Sequence, residues 1–364
     1  MFDRRVFAHF DWWLLGLVIA IMIIGVVNLN SASAATGAFY QWKQLQWYVV
    51  GLFLMVLFSL FDYRILSSYA VHIYIVTVVL LLLVIFVGKS VSGSQRWIPL
   101  GFFHLQPSEF AKLSTVIVIS SYFYHHEKPN YGINDLIRPA MLMAIPFFLI
   151  FRQPDLGTAM LVLLIMASII LVAGLRWTSV VTIITACIAI MPLAWKFLKP
   201  YQKKRLEIFL NPESDPLGSG YHIIQSKIAV GSGGLTGKGY MAGTQAHLDF
   251  LPEVHTDFAF SIWAEEWGFM GAVLLLGIYF LIIARGLQIA SQSKERFGSF
   301  LAFGIVAMLF WQVVINTFMV TGLMPVVGIP LPMISYGGSS VITTMIGIGL
   351  LINVKSRRFM FEPH

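Results

Sequence analysis

Asp257 stands where a polar loop gives way to a hydrophobic run, in Leu248-Asp-Phe-Leu-Pro-Glu-Val-His-Thr-Asp-Phe-Ala-Phe-Ser-Ile-Trp-Ala-Glu-Glu-Trp-Gly268. An ionisable group at the mouth of an apolar segment is costly to keep. A helix N-cap or first-turn acid, favoured by the helix dipole, is the simplest structural role for it. Glu253 and His255 lie within four residues and a glycine-rich polar loop leads in, and that company favours a second role, a catalytic base facing the outer membrane surface.

Three further polar groups carry chemistry. Glu109 and Lys112 are three apart at the start of an apolar run, so on a helix they share a face. A charged pair just inside a span points at a cavity or partner and not at lipid. Ser108 fits an N-cap ahead of them. Asp155, beside Arg152 and Gln153, fits a turn acid capping the next helix. Lys43 and Arg96 add cations to the same set of candidate substrate-binding residues, which holds Lys43, Arg96, Glu109, Lys112, Asp155, Glu253 and His255. Asp257 and Glu265 are eight residues apart, roughly 12 Å along a helix, too far to share a proton. Glu265 and Glu266 point in different directions and read as a structural or partner-contact pair.

Several familiar chemistries are missing. There is no His and carboxylate spacing of the zincin type and no Gly-x-Ser-x-Gly elbow. Gly231-Ser-Gly-Gly-Leu-Thr-Gly-Lys-Gly239 fails the phosphate-loop pattern, because Ser232 occupies the first glycine position and Gly239 follows Lys238 where Ser or Thr is required. Its glycines let an outer loop fold closely over a substrate or back onto the helices.

The elements that must position these groups follow from composition. Hydrophobic residues make up 58% of 364 and charged residues 11%, with a mean hydropathy of +0.80. These values describe an all-α polytopic membrane protein. Apolar runs long enough for a bilayer core begin near Trp12, Trp47, Tyr69, Ser108, Arg138, Leu156, Thr178, Asp257, Phe300 and Tyr336. The expectation is ten helices in a single domain, 1–364, with a large extracytoplasmic loop, 196–256, between the seventh and eighth. Within that loop Tyr201 to Leu210 mixes basic and apolar residues as an interfacial helix does, and Tyr221 to Val230 has helical spacing.

The net charge of +7 is spread over helix ends and forms no stripe, which argues against nucleic acid. Its placement orients the chain instead. With the N-terminus inside, the cytoplasmic segments hold twelve Lys and Arg and the short outer segments five, the remaining seven lying in the long loop. Asp257 then ends the outer loop, and both termini are cytoplasmic. Arg4 and Arg5 ahead of an apolar stretch resemble a signal peptide, but the run from Trp12 to Val27 is long for one and reads as a retained first helix. Cys187 stands alone, which excludes a disulfide framework or a cysteine metal site, and it reads as packing.

On Gly93-Ser-Gln-Arg-Trp97, Gln106-Pro-Ser-Glu-Phe-Ala-Lys112, Gln153-Pro-Asp-Leu-Gly-Thr158, Asp215-Pro-Leu-Gly-Ser-Gly-Tyr-His-Ile-Ile-Gln-Ser-Lys227, Phe250-Leu-Pro-Glu-Val-His-Thr-Asp-Phe258 and Pro332-Met-Ile-Ser-Tyr-Gly-Gly-Ser339, the chain resembles the SEDS family of bacterial cell-wall proteins over nearly its whole length. The resemblance implies a peptidoglycan glycosyltransferase that polymerises lipid II on the outer face of the cytoplasmic membrane. It also implies a class B penicillin-binding protein as crosslinking partner, among the other membrane proteins of a cell-elongation complex. Asp257 matches the family's essential acid. As general base it would take the proton of the acceptor GlcNAc 4-hydroxyl while undecaprenyl diphosphate leaves the donor with inversion. A diphosphate leaves as an anion, so one carboxylate suffices where glycosidases need two. Lys43, Arg96 and Lys112 are the cations that would neutralise it, and a divalent ion, magnesium or manganese, is a further possibility the resemblance carries. A lipid II flippase is the alternative from another class, and a non-enzymatic scaffold the third. A transporter usually places its charged sites near mid-membrane and repeats its topology, whereas the carboxylates here sit at the outer edge.

Overall fold

The computed structural model describes residues 10–33, 39–91, 94–99, 101, 104–197, 200–215, 218–247 and 255–358. Arg4, Arg5 and Glu253 lie outside the described residues. Thirteen α-helices are present among them. Ten are long: α1 (Trp12–Ser33), α2 (Tyr40–Leu60), α3 (Arg64–Val87), α4 (Pro107–His125), α5 (Ile137–Arg152), α6 (Leu156–Gly174), α7 (Trp177–Phe197), α11 (Ala259–Gln292), α12 (Arg296–Val320) and α13 (Gly338–Arg358). Three are short and lie between α7 and α11: α8 (Pro200–Leu210), α9 (Ser219–Ser232) and α10 (Thr244–His247). A small antiparallel sheet, β1 (Lys89–Val91), β2 (Ser94–Pro99) and β3 (His104–Leu105), joins α3 to α4.

The ten long helices stand where the apolar runs place them, and by length and composition eight helical segments of the described residues are apolar enough to cross a membrane. α4 falls outside that group, consistent with Glu109 and Lys112 inside it. α7 falls outside it because its apolar part, Trp177–Pro192, is short. Two starts differ from the hydropathy reading. α2 begins at Tyr40 and α3 at Arg64, because Gln41, Lys43 and Gln44, and Arg64, Ser67 and Ser68, are polar residues of helical turns and not of loops. Cys187 also departs from expectation, being exposed on α7 rather than packed.

The bundle centre is late in the chain. The apolar windows of α12 and α13 are 72% and 83% buried, against 28% for α2 and α3, so the last two helices are wrapped by the others. Asn353 of α13 donates 2.7 Å to the Phe58 carbonyl, fixing α13 against α2. A buried hydrogen bond of this kind persists because the unpaired amide would be expensive in an apolar interior.

The two ends of the bundle carry different charge. At one end Asp11 bonds Arg285 at 2.7 Å and Lys355 at 3.0 Å, Arg64 meets Glu295 at 3.0 Å, and Arg357 meets Asp62 at 3.3 Å. Every one of these basic residues belongs to the set that the positive-inside count assigns to the cytoplasm. The opposite end gathers Tyr40, Arg96, Glu109, Asp155, His255 and Asp257.

Candidate active site

Asp257 lies in a turn two residues ahead of α11, whose N-cap position is Phe258. Its backbone is pinned: Asn316 of α12 donates one amide hydrogen to the Asp257 carbonyl at 3.0 Å and another to the Ile329 carbonyl at 2.8 Å. The carboxylate faces Gly328, where a β-carbon would stand 3.2 Å from Oδ2. A buried amide therefore holds both the turn that carries the carboxylate and the loop it faces, leaving Asp257 partly exposed.

The loop between α12 and α13 organises the rest. Its segment Pro332-Met-Ile-Ser-Tyr-Gly-Gly-Ser339 is held by three helices. Tyr48 of α2 donates to the Met333 carbonyl, Tyr279 of α11 to the Pro332 carbonyl, and Gln44 donates to the Ser335 carbonyl at 3.2 Å while accepting from the Gly337 amide at 3.3 Å. Ser339 accepts at 3.1 Å from the Gln106 amide at the head of α4. Tyr336 in turn donates its amide to the His255 carbonyl at 2.7 Å. The His255 ring lies flat on Tyr40, with centroids 4.3 Å apart and planes 7° apart. Burial pushes the Tyr336 phenol above its ordinary range, with Tyr40 adding to the effect, so it is a neutral hydrogen-bonding group at physiological pH.

The second group sits on the same loop from another side. Arg96 of β2 donates to the Pro154 carbonyl and lies 3.7 Å from Asp155. Asp155 caps α6 by accepting from the Thr158 amide at 3.1 Å, as its sequence context suggests. Gly157, one residue into that helix, packs so closely that a β-carbon there would lie 2.5 Å from the Val327 carbonyl. Val327 and Ile329 thus meet the Asp155 helix while Gly328 between them meets Asp257. This three-residue stretch brings the two predicted groups together.

Glu109 and Lys112 form the predicted pair, 2.8 Å apart, but both are buried. Ser108 is not the cap of α4; Gln106 takes that position and Pro107 starts the helix. Lys43 is exposed on the first turn of α2, beside Tyr40, which stacks on His255. Glu265 and Glu266 are structural. Glu265 accepts from Lys238 at 2.6 Å and from the Thr244 amide at 2.9 Å, and Glu266 accepts from Ser31 and from the Met241 amide.

Asn316, Tyr40, Gln44 and Tyr336 are site residues that the sequence did not single out. Lys227 is exposed on α9 and lies along Gly322 at the end of α12, its Nζ 3.3 Å from where a β-carbon would stand. The neighbouring Ser226 anchors α9 by a 2.9 Å bond to Ser261 and by donating to the Val320 carbonyl at 2.7 Å.

Ten long helices with a polar cluster recessed into one end define an all-α polytopic membrane protein. The family model for the cell cycle proteins FtsW, RodA and SpoVE matches residues 5–359, and the chain belongs to this SEDS family. It is 40% identical to the peptidoglycan glycosyltransferase MrdB of Escherichia coli K12 over 97% of this chain and 95% of that one. It is 33% identical to the peptidoglycan glycosyltransferase RodA of Treponema pallidum, covering 96% of this chain and 98% of that one. Among solved structures it superposes with a TM-score of 0.84 and 37% identity on a chain from work on the coordination of polymerization and crosslinking by a peptidoglycan synthase complex, covering 96% of this chain and 98% of that one. The rod shape determining protein RodA of Thermus thermophilus superposes with a TM-score of 0.72 and 31% identity, with the same coverage.

Proposed function

We propose that this chain is a peptidoglycan glycosyltransferase that polymerises lipid II into β-1,4 glycan strands on the outer face of the cytoplasmic membrane during cell elongation, with Asp257 as general base. The observation that carries the assignment is the Asp257 turn, fixed at its backbone by Asn316 with the carboxylate left partly exposed. A base must be held still and remain reachable by its proton donor. Asp257 takes the proton of the acceptor 4-hydroxyl, whose oxygen attacks the donor C1 with inversion as the diphosphate leaves.

Lys43 is the cation of the predicted set that remains exposed for that diphosphate, whereas Arg96 and Lys112 are engaged by Asp155 and Glu109. Glu109, Lys112 and Asp155 hold the walls of the site, and His255 aligns the approach to Asp257. Among the described residues no three His, Cys, Asp or Glu side chains gather to hold a metal ion. A magnesium or manganese ion brought in on the substrate's phosphates would need only one or two carboxylates from the protein. Such an ion would neutralise leaving-group charge.

The whole chain forms one transmembrane domain with both termini in the cytoplasm, and the connection 196–256 belongs to the outer side of the membrane, with α8 and α9 lying at the interface. The crosslinking partner is a class B penicillin-binding protein within an elongation complex; the resemblance to a chain from a peptidoglycan synthase complex supports this. The test is conversion of lipid II to glycan strands by the purified chain, alone and with the partner. Polymer formation in the presence of the partner is expected. Movement of lipid II across a bilayer without polymer would instead favour the flippase, and neither activity would favour the scaffold.

A further inference from the structure

α11 is broken. Gly268 sits at φ 63° inside it, so the carbonyls before the break and the amides after it lose their helical partners. In a bilayer an unsatisfied peptide group finds no water to bond, and these groups are taken up by the glycine-rich segment. Phe269 and Met270 donate their amides to the Gly234 and Leu235 carbonyls at 2.8 and 3.0 Å, and the Glu265 and Glu266 carbonyls accept from Lys238 and Gly239, each at 3.0 Å. Trp263 ties the two halves of α11 together across the break by donating to the Gly271 carbonyl at 2.8 Å. The glycines make this contact possible, since a β-carbon at Gly237 would collide with the Glu266 carbonyl.

Depth follows from length. The sixteen residues from Phe269 to Ala284, ahead of Arg285 in the cytoplasmic charge cluster, rise about 24 Å, most of a hydrocarbon core of about 30 Å. The break therefore lies near the outer boundary of the core, and the segment bonded to it lies at the same level. Its side chains match that level. Leu235 is 72% exposed, and Tyr240 and Met241 are exposed beside it, continuous through the backbone bonds with Phe269 at 63% and Met270 at 69% on the lipid-facing side of α11. The Tyr240 hydroxyl accepts from Asn30 at 2.7 Å while its ring stays exposed, the division expected of an interfacial tyrosine. The cation of the segment, Lys238, is neutralised by Glu265.

We infer that residues 233–241 form a re-entrant element inserted into the outer leaflet, with Leu235, Tyr240 and Met241 in contact with phospholipid acyl chains near the headgroups, so that this part of the long loop is membrane-embedded and not extracytoplasmic. The insertion is independent of the catalytic assignment.

The test places an environment-sensitive thiol-reactive fluorophore at Leu235→Cys and at Met241→Cys in a Cys187→Ser chain in bilayers of phosphatidylcholine and phosphatidylglycerol. Ser214→Cys, exposed in the turn after α8, is the aqueous control. Blue-shifted emission and loss of most intensity on adding lipids spin-labelled near the headgroup end of the acyl chain are expected at both test positions, with neither at Ser214. Emission at either test position that matches the Ser214 control and resists the lipid quencher would overturn the insertion, whether or not the chain polymerises lipid II.

Discussion

Lys112 Nζ lies 2.8 Å from each carboxylate oxygen of Glu109, and neither side chain reaches solvent. Removing one member of a buried ion pair strands the other and typically costs about 3–5 kcal/mol. Lys112→Ala is therefore expected to lose folded protein as well as activity. Lys112→Met with Glu109→Gln should recover much of the folded yield, since it leaves no buried charge. Polymerisation assayed on matched folded protein then separates the roles: low turnover in the double variant marks a contribution to the reaction, and wild-type turnover marks a purely structural pair.

Gly237→Ala should lower stability by about 1–3 kcal/mol, because φ is +83° there and the new methyl collides with the Glu266 carbonyl. Gly231→Ala in α9, where nothing lies within 4 Å of the new methyl, should be neutral or stabilising by up to about 1 kcal/mol. Thermal melts in one detergent check the contrast, and equal effects at the two positions would contradict the packing of the glycine segment against the helix break.

Asp11 ties α1 to α11 and α13 through Arg285 and Lys355. Burial alone would raise its carboxyl, but the bonds to Arg285 and Lys355 hold it below its ordinary value of 3.8. A depressed carboxylate contributes stability above its unfolded pKa and loses it as pH falls through the folded one. Asp11→Asn should thus lower the melting temperature at pH 7. The gap to wild type should persist down to about pH 4 and close only at more acid pH; a gap that closes near neutrality would point to another titrating group.

Orientation is checked by labelling. In a Cys187→Ser background, Ser214→Cys should react with an impermeant thiol reagent in intact cells, and Ser291→Cys, exposed at the opposite end of the bundle, should react only after lysis. Equal labelling in intact cells would reverse or abolish the assigned topology.

Much of this architecture was legible because bilayer thickness imposes one dominant length on apolar runs. Hydropathy located the ten long helices, and the transition at Asp257 located the turn. Glu109 and Lys112 were readable as a pair because their spacing is local. Arg96 and Asp155 were each picked out, but their partnership spans two helices and a sheet and has no local signature. Asn316 was invisible for the same reason: one amide in an apolar run shows no partner until the fold brings the Asp257 and Ile329 carbonyls to it. The break at Gly268 was equally hidden, since glycine is common in membrane helices and its positive φ is sustained by backbone bonds to residues some thirty positions earlier. The ends of α2 and α3 were misplaced because their polar residues face other protein elements or the interface, and hydropathy scores them as loop.

The central claim is that Asp257 is the base. Asp257→Asn preserves size but cannot accept a proton, and the Asn316 bond to the backbone carbonyl is untouched by it. With thermal stability and binding to the penicillin-binding partner matched to wild type, conversion of lipid II to glycan strands should fall by roughly 10² to 10⁴. Retention of more than about a tenth of wild-type turnover, against that expected loss, would contradict the catalytic role and leave Asp257 as a structural element of the turn ahead of α11.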